Sequence, residues 1–209
     1  MQALLARLYD APVEHEVSDF VLHDANRVRA LIGIDAQTDE QVFLVEDRDS
    51  VRVGVYISSE VLARLSKRDP MHALDDDNLA DFCTALEGVS HFHYLMWSVG
   101  RGRKVSLLEL ELQAEVDKYA AALALMTRQR DGRFPHALHP RLFHQVAFAP
   151  SLDAQSRQRY EEANRHAARY CRALEEKFLR TRRSRPERWL GELRKFFRAG
   201  QQEKLRASG

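Results

Sequence analysis

Between Leu108 and Met126 the apolar residues Leu108, Leu112, Val116, Tyr119, Leu123 and Met126 recur at steps of three and four. No other feature of the chain restricts its fold as much. That spacing predicts a long helix with one apolar stripe, because side chains three and four residues apart share a helical face. Ser106-Leu-Leu-Glu109 stands just ahead of it and reads as a capping box, with the serine accepting from the first turn and the glutamate reaching back. Leu108-Glu-Leu-Glu-Leu112 also alternates as a strand would. The longer helical register decides against the strand.

The period changes upstream. Gln41–Glu46 and Val51–Ile57 are β-rich runs, and Val51, Val53, Val55 and Ile57 fall on one face of the second. With Asp47–Ser50 between them they predict a hairpin with one buried side. Val89–Val99, rich in aromatics and followed by the Gly100-Arg-Gly102 turn, reads as a third strand at about 90–98. Further helices are expected over Ala3–Leu8 (ended by Pro12), Asp24–Ile32 (closed by Gly33) and after the Ser58-Ser59 cap. Another should open at Asp75–Asp77 and stop at Gly88, and one more should follow Ser151, with Tyr160, Ala163, Ala167, Tyr170, Cys171, Leu174 and Phe178 on its stripe. Pro186 suits the first turn of a last helix. The fold class expected is α+β and helix-dominated: a small antiparallel sheet covered by helices in a body at 1–150, then a basic helical region at 151–209 packed on it. Helix should exceed the usual third of residues and approach half.

A near-neutral total hides an uneven charge distribution. From Arg157 to Gly209 there are 16 Lys+Arg against 7 Asp+Glu, a balance of +9, whereas the first 156 residues stand at −8. Arg180, Arg182, Arg183, Arg185, Arg188, Arg194, Lys195 and Arg198 crowd one stretch, and Trp189, Leu193, Phe196 and Phe197 share a helical face within it. Guanidinium forks suit carboxylates and phosphates, and an aromatic stripe supplies area to bury. The expected function is therefore that of a non-catalytic binding or adaptor protein, capturing an acidic partner or a second copy of itself through Arg182, Arg183, Arg185, Arg188, Trp189, Leu193, Arg194, Phe196 and Phe197. Two alternatives stay open on the same segment: nucleic-acid binding through the arginines, and docking of the stripe on the acidic body itself. A membrane-surface role would also suit a basic amphipathic helix.

An alternative of another class is a metal-dependent enzyme centred on His91 and His93. On a strand these imidazoles point to one side, with Glu87, Glu109, Glu111 or Glu115 as carboxylate ligands and a metal-bound water as nucleophile. His136, His139 and His144 form a second histidine group, in a loop expected over 131–150. Phosphate-loop, dinucleotide, nucleophile-elbow and paired-cysteine patterns are missing, so no cofactor is expected. Cys83 and Cys171 sit at apolar helical positions and read as core thiols. The N-terminus lacks an export pattern and no apolar run approaches the roughly 18–20 residues of a membrane span. A cytoplasmic protein is expected.

Overall fold

The computed structural model describes residues 1–33, 38–47, 50–145, 152–179 and 186–209. Helix dominates, at 66%, with nine α-helices and one three-stranded mixed sheet among the described residues. Helix α1 (Gln2–Tyr9) ends at Asp10 in the left-handed region, and α2 (Ala25–Ile32) starts on the Asp24 carboxylate, which accepts from Asn26 N, and stops at Gly33 with φ 73°. The expected hairpin forms from β2 (Glu40–Asp47) and β3 (Ser50–Ile57), antiparallel with Val42 opposite Val55. The sheet's other neighbour differs from expectation. A two-residue strand β1 (Val21–Leu22) runs parallel to β3, giving the order β1-β3-β2.

Residues 89–99, expected as that neighbour, are helical instead. They form the second half of α4 (Leu79–Val99), and Gly88 lies inside the helix rather than at its end. The misreading has a physical cause. Helix α4 packs against α1, α3, α5, β2 and β3, so Phe82, Leu86, Val89, Phe92, Tyr94, Leu95 and Trp97 are buried on several sides of it. A helix enclosed all round loses the 3.6-residue alternation that would identify it. Gly88 is needed for a different reason. A Cβ there would lie 2.8 Å from Val55 Cγ1 and 3.1 Å from Glu40 Oε1, so only glycine lets α4 approach the sheet this closely.

Helix α3 (Ser59–Lys67) is capped by Ser58, and α5 (Leu107–Gln129) by Ser106, whose hydroxyl accepts from Glu109 N. The Glu109 side chain does not complete the box. It accepts from Tyr94 OH at 2.6 Å and from Arg103 at 3.1 Å. A short α6 (Leu138–Phe143) occupies part of the expected loop. Helix α7 (Ala154–Leu174) is capped by Asp153 and packs along α5 through Ala163, Ala167, Tyr170, Cys171 and Leu174. Ser151, the cap expected from sequence, and the linker arginines Arg180, Arg182, Arg183 and Arg185 lie outside the described residues.

Helix α8 (Pro186–Arg198) begins at the expected proline and docks on α1. Leu193, Phe196 and Phe197 are buried. Phe197 stacks on Tyr9 at 4.3 Å and meets Trp97 edge-on at 4.8 Å, while Phe196 stacks on Tyr170 at 4.0 Å. Two α8 arginines bind the open carbonyls at the end of α1: Arg194 Nε donates to Leu8 O at 3.1 Å, and Arg198 donates to Asp10 O at 3.0 Å. The final helix α9 (Gln201–Ala207) inserts Lys204, fully buried, which donates to Gln113 Oε1 and lies 4.2 Å from the Tyr94 ring. Next to it the Asp117 carboxylate accepts from Tyr9, from Ser90 at 2.6 Å and from Gln113 at 2.6 Å. This enclosed network fastens both chain ends to α5.

Candidate functional site

Helix α5 carries a second polar face. Glu111, Glu115 and Lys118 lie at steps of four and three on it, opposite Glu87 and His91, themselves four apart on α4. Glu40 enters from the start of β2, through the gap that Gly88 leaves, and Arg159 arrives from α7. His91 Nε2 lies 3.3 Å from Glu111 Oε2, His91 Nδ1 lies 3.7 Å from Glu40 Oε1, and Arg159 Nε lies 3.5 Å from Glu111 Oε1. Lys118 Nζ donates to Glu87 at 2.9 Å and to Glu115 at 2.6 Å.

Four carboxylates thus converge on one lysine, one arginine and one histidine. Burial penalises the charged forms of Glu40, Glu87, His91, Glu115 and Lys118. It lifts the Glu40 carboxyl to about 7, and it raises Glu115 despite Lys118. Burial also opposes ionisation of Glu87, but the Lys118 and His91 charges outweigh it and hold that carboxyl low. For His91 the pull of Glu111 and Glu40 exceeds the burial penalty, so its pKa stands well above the usual histidine range.

Several of these atoms have no aligned hydrogen bond despite being buried. Glu40 Oε1, His91 Nε2, Glu111 Oε2 and Arg159 Nε are all unsatisfied, while His91 is 7% and Glu111 6% exposed. Leaving a buried acceptor or donor without a partner costs roughly 1–3 kcal/mol each, more when charged. In the metal-free protein the protonated His91 is the cation between Glu40 and Glu111, and a divalent ion binding here would displace that proton. Glu87, His91 and Glu111 each offer a ligand atom, all within 4.8 Å of one another, and they are the one set of three or more such side chains among the described residues. The mixed carboxylate and imidazole donors suit a borderline divalent ion such as zinc, manganese or iron(II).

Glu115 and Lys118 face a separate cavity, whereas Glu40, His91, Glu111 and Arg159 line a cleft of about 380 Å³ between β2, α4, α5 and α7. Its polar end holds Glu40, His91, Glu111, Arg159 and Tyr160, and its walls include Val42, Leu44, Leu95, Leu107 and Leu110.

The residues chosen from sequence are thus redistributed. His91 joins Glu111 and Glu87, two of the carboxylates expected as its partners, but His93 does not. Two residues apart on a helix, the two rings point to different sides. His93 is fully buried and 6.1 Å from the Phe197 ring, with burial pulling its pKa down to about 4. The paired-imidazole arrangement is corrected to a single histidine. Of His136, His139 and His144, only the last two meet, with ring centroids 5.7 Å apart; His139 is buried and 2.8 Å from Ala168 O, while His136 and His144 are exposed. Leu193, Phe196 and Phe197 face the core and offer no area to a partner, because their stripe matches the aromatic surface of α1 and α4. Trp189 is half-buried against that core, Arg188 is exposed, and Arg194 is engaged with α1. Glu40 and Arg159 escaped the sequence reading entirely. The i, i+4 pairs Glu87/His91 and Glu111/Glu115 were the visible signal, hidden by the strand assignment of residues 89–99.

Among the described residues, no helix is long and apolar enough to cross a membrane. Comparison with protein families, with curated proteins and with solved structures finds no match, so the reading of the cleft rests on its own geometry.

Proposed function

We propose that the protein is a metal-dependent enzyme of the hydrolytic class, acting on a small molecule in the cleft between β2, α4, α5 and α7. Glu87, His91 and Glu111 hold a divalent ion, and Glu40 and Arg159 flank it. The observation carrying this reading is the approach of buried His91 Nε2 and Glu111 Oε2 to 3.3 Å, without an aligned hydrogen bond, in the lining of an open cleft. A divalent ion at this position would lower the pKa of a water bound to it far toward neutrality. Held by Glu87, His91 and Glu111, such an ion would supply a hydroxide-like water able to add to an electrophilic centre, with the proton passing to the leaving group as its bond breaks. Glu40 is placed to carry the proton between them, and Arg159 to steady an anionic group of the substrate. A cytoplasmic setting belongs to the same proposal and is supported by Cys83 and Cys171 being free thiols.

The test is metal stoichiometry. After stripping with chelator, the protein should bind close to one equivalent of Mn²⁺ or Zn²⁺ by calorimetry, and Glu111→Gln or His91→Ala should weaken binding by at least tenfold. Binding of no ion, or unchanged binding in both variants, would refute the proposal.

A second reading, capture of an acidic surface or of nucleic acid by the basic segment, draws support from the +9 balance after Arg157 and from exposed Arg188. It has to operate without the buried stripe, on arginines alone. Its signature is a steep loss of affinity with salt. A gel shift and a pull-down that both stay blank at low salt remove it.

A further inference from the structure

The shape and chemistry of the cleft identify the kind of molecule it takes. Its lining joins the ionic Glu40, His91, Glu111 and Arg159 to the apolar Val42, Leu95, Leu110 and Leu152 and to exposed Leu44 and Leu107, with Thr38, Gln41, Asp153 and Ser156 as further polar members. Leu44 is 54% and Leu107 61% exposed, and they are two of only four large apolar side chains so exposed among the described residues. They come from different elements, β2 and the first residue of α5, yet they flank the same opening. Exposing two leucines beside one opening is a standing hydration penalty unless something apolar covers them. The Arg159 guanidinium lines the same space, its Nε 3.5 Å from Glu111 Oε1 without an aligned hydrogen bond and its Nη2 donating to Ser156. Planar guanidinium donors match a carboxylate two bonds at a time.

We infer that the ligand is a small amphipathic carboxylic acid, or the acyl part of its derivative. Its carboxylate lies on the metal ion and Arg159, and its alkyl body lies along Val42, Leu95 and Leu110 and out between Leu44 and Leu107. The volume of about 380 Å³ is at the small end of ligand cavities, which favours a medium-length chain over a long one. With Glu40, Glu111 and Asp153 lining the cleft, an acid head group is repelled until the cation is bound. Binding of the acid is therefore metal-dependent. This inference rests on the metal reading above, and the experiment separates the two.

Calorimetry on the full chain would first measure Mn²⁺, then octanoate, acetate and octylammonium in the presence and absence of Mn²⁺. Octanoate should bind at least tenfold tighter than acetate, and only to the Mn²⁺-loaded protein. The double variant Leu44→Ser/Leu107→Ser, at two exposed positions, should weaken octanoate at least fivefold with Mn²⁺ affinity unchanged. Mn²⁺ binding with equal affinity for octanoate and acetate overturns the amphipathic ligand and leaves the metal site standing. Tighter binding of octylammonium than of octanoate overturns it as well, since the cleft would then act as a plain acidic patch. Failure to bind Mn²⁺ overturns the metal reading, and the acid site falls with it.

Discussion

Truncating Phe197 to alanine tests whether the most conspicuous stripe in the sequence belongs to the core or to a partner. The ring is fully buried, stacked on Tyr9 at 4.3 Å and edge-on to Trp97 at 4.8 Å and Tyr94 at 5.0 Å. Phe→Ala at such positions costs roughly 3–5 kcal/mol, from lost transfer energy and the cavity left behind. Three aromatic neighbours place this site in the upper part of that range, since each well-placed ring pair adds about 0.5–1.5 kcal/mol. About 4 kcal/mol is expected, which lowers Tm by roughly 8–16 °C in a chain of this length. Urea unfolding followed by circular dichroism on the metal-free protein measures it, with exposed Arg188→Ala as the control, expected within about 0.5 kcal/mol of the parent. Should Phe197→Ala fail to fold, Phe197→Leu provides a milder version with a loss of about 1–2 kcal/mol. A loss below about 1 kcal/mol for the alanine variant refutes the docking of α8 described above.

Three further outcomes follow from particular residues. Burial pulls the Lys204 ammonium down from an ordinary 10.5 to about 7, so between these values the unfolded chain holds a proton that the folded one lacks. Stability therefore rises with pH across that window, and relative to Lys204→Met it should rise by about 1.4 kcal/mol per unit from pH 7 to 9. Parallel urea titrations of the two proteins check this, and a difference independent of pH contradicts it. Gly88→Ala gains about 1 kcal/mol of helix propensity but places a methyl 2.8 Å from Val55 and 3.1 Å from Glu40. A net loss of roughly 1–3 kcal/mol is expected from such overpacking, together with weaker Mn²⁺ binding as Glu40 is displaced. Lys118→Met removes the shared partner of Glu87 and Glu115 and should cost about 3–5 kcal/mol at pH 8, less at pH 5 where the carboxylates can take up protons.

Wherever an element has one buried side, its pattern was readable from the chain. The β2–β3 hairpin, the α7 stripe, the Ser58 and Ser106 caps, Gly33 and Pro186 all stand where local rules place them. Each is decided by steric and hydrogen-bonding preferences within a few residues. The third strand failed for the opposite reason: α4 is enclosed on nearly all sides, and burial on every face erases periodicity.

The candidate site was half legible. Glu87, His91, Glu111 and Glu115 were all in view as residues, yet the partnership of His91 with His93 depended on a strand. A rotation of about 200° between residues two apart on a helix separates them instead. Glu40 is 51 positions from His91 and Arg159 is 68 away, and neither carries a local mark. They meet because Gly88 admits the sheet to α4 and because small residues let α7 lie along α5.

By itself the sequence determined a helix-rich α+β chain with a basic, amphipathic end, since periodicity and charge are local properties. Where that end lies was decided by tertiary packing. The aromatic stripe of α8 gains more from the surface of α1 and α4 than from water. Tertiary packing also gathered three carboxylates around one histidine, because desolvation and convergence arise only when distant elements come into contact.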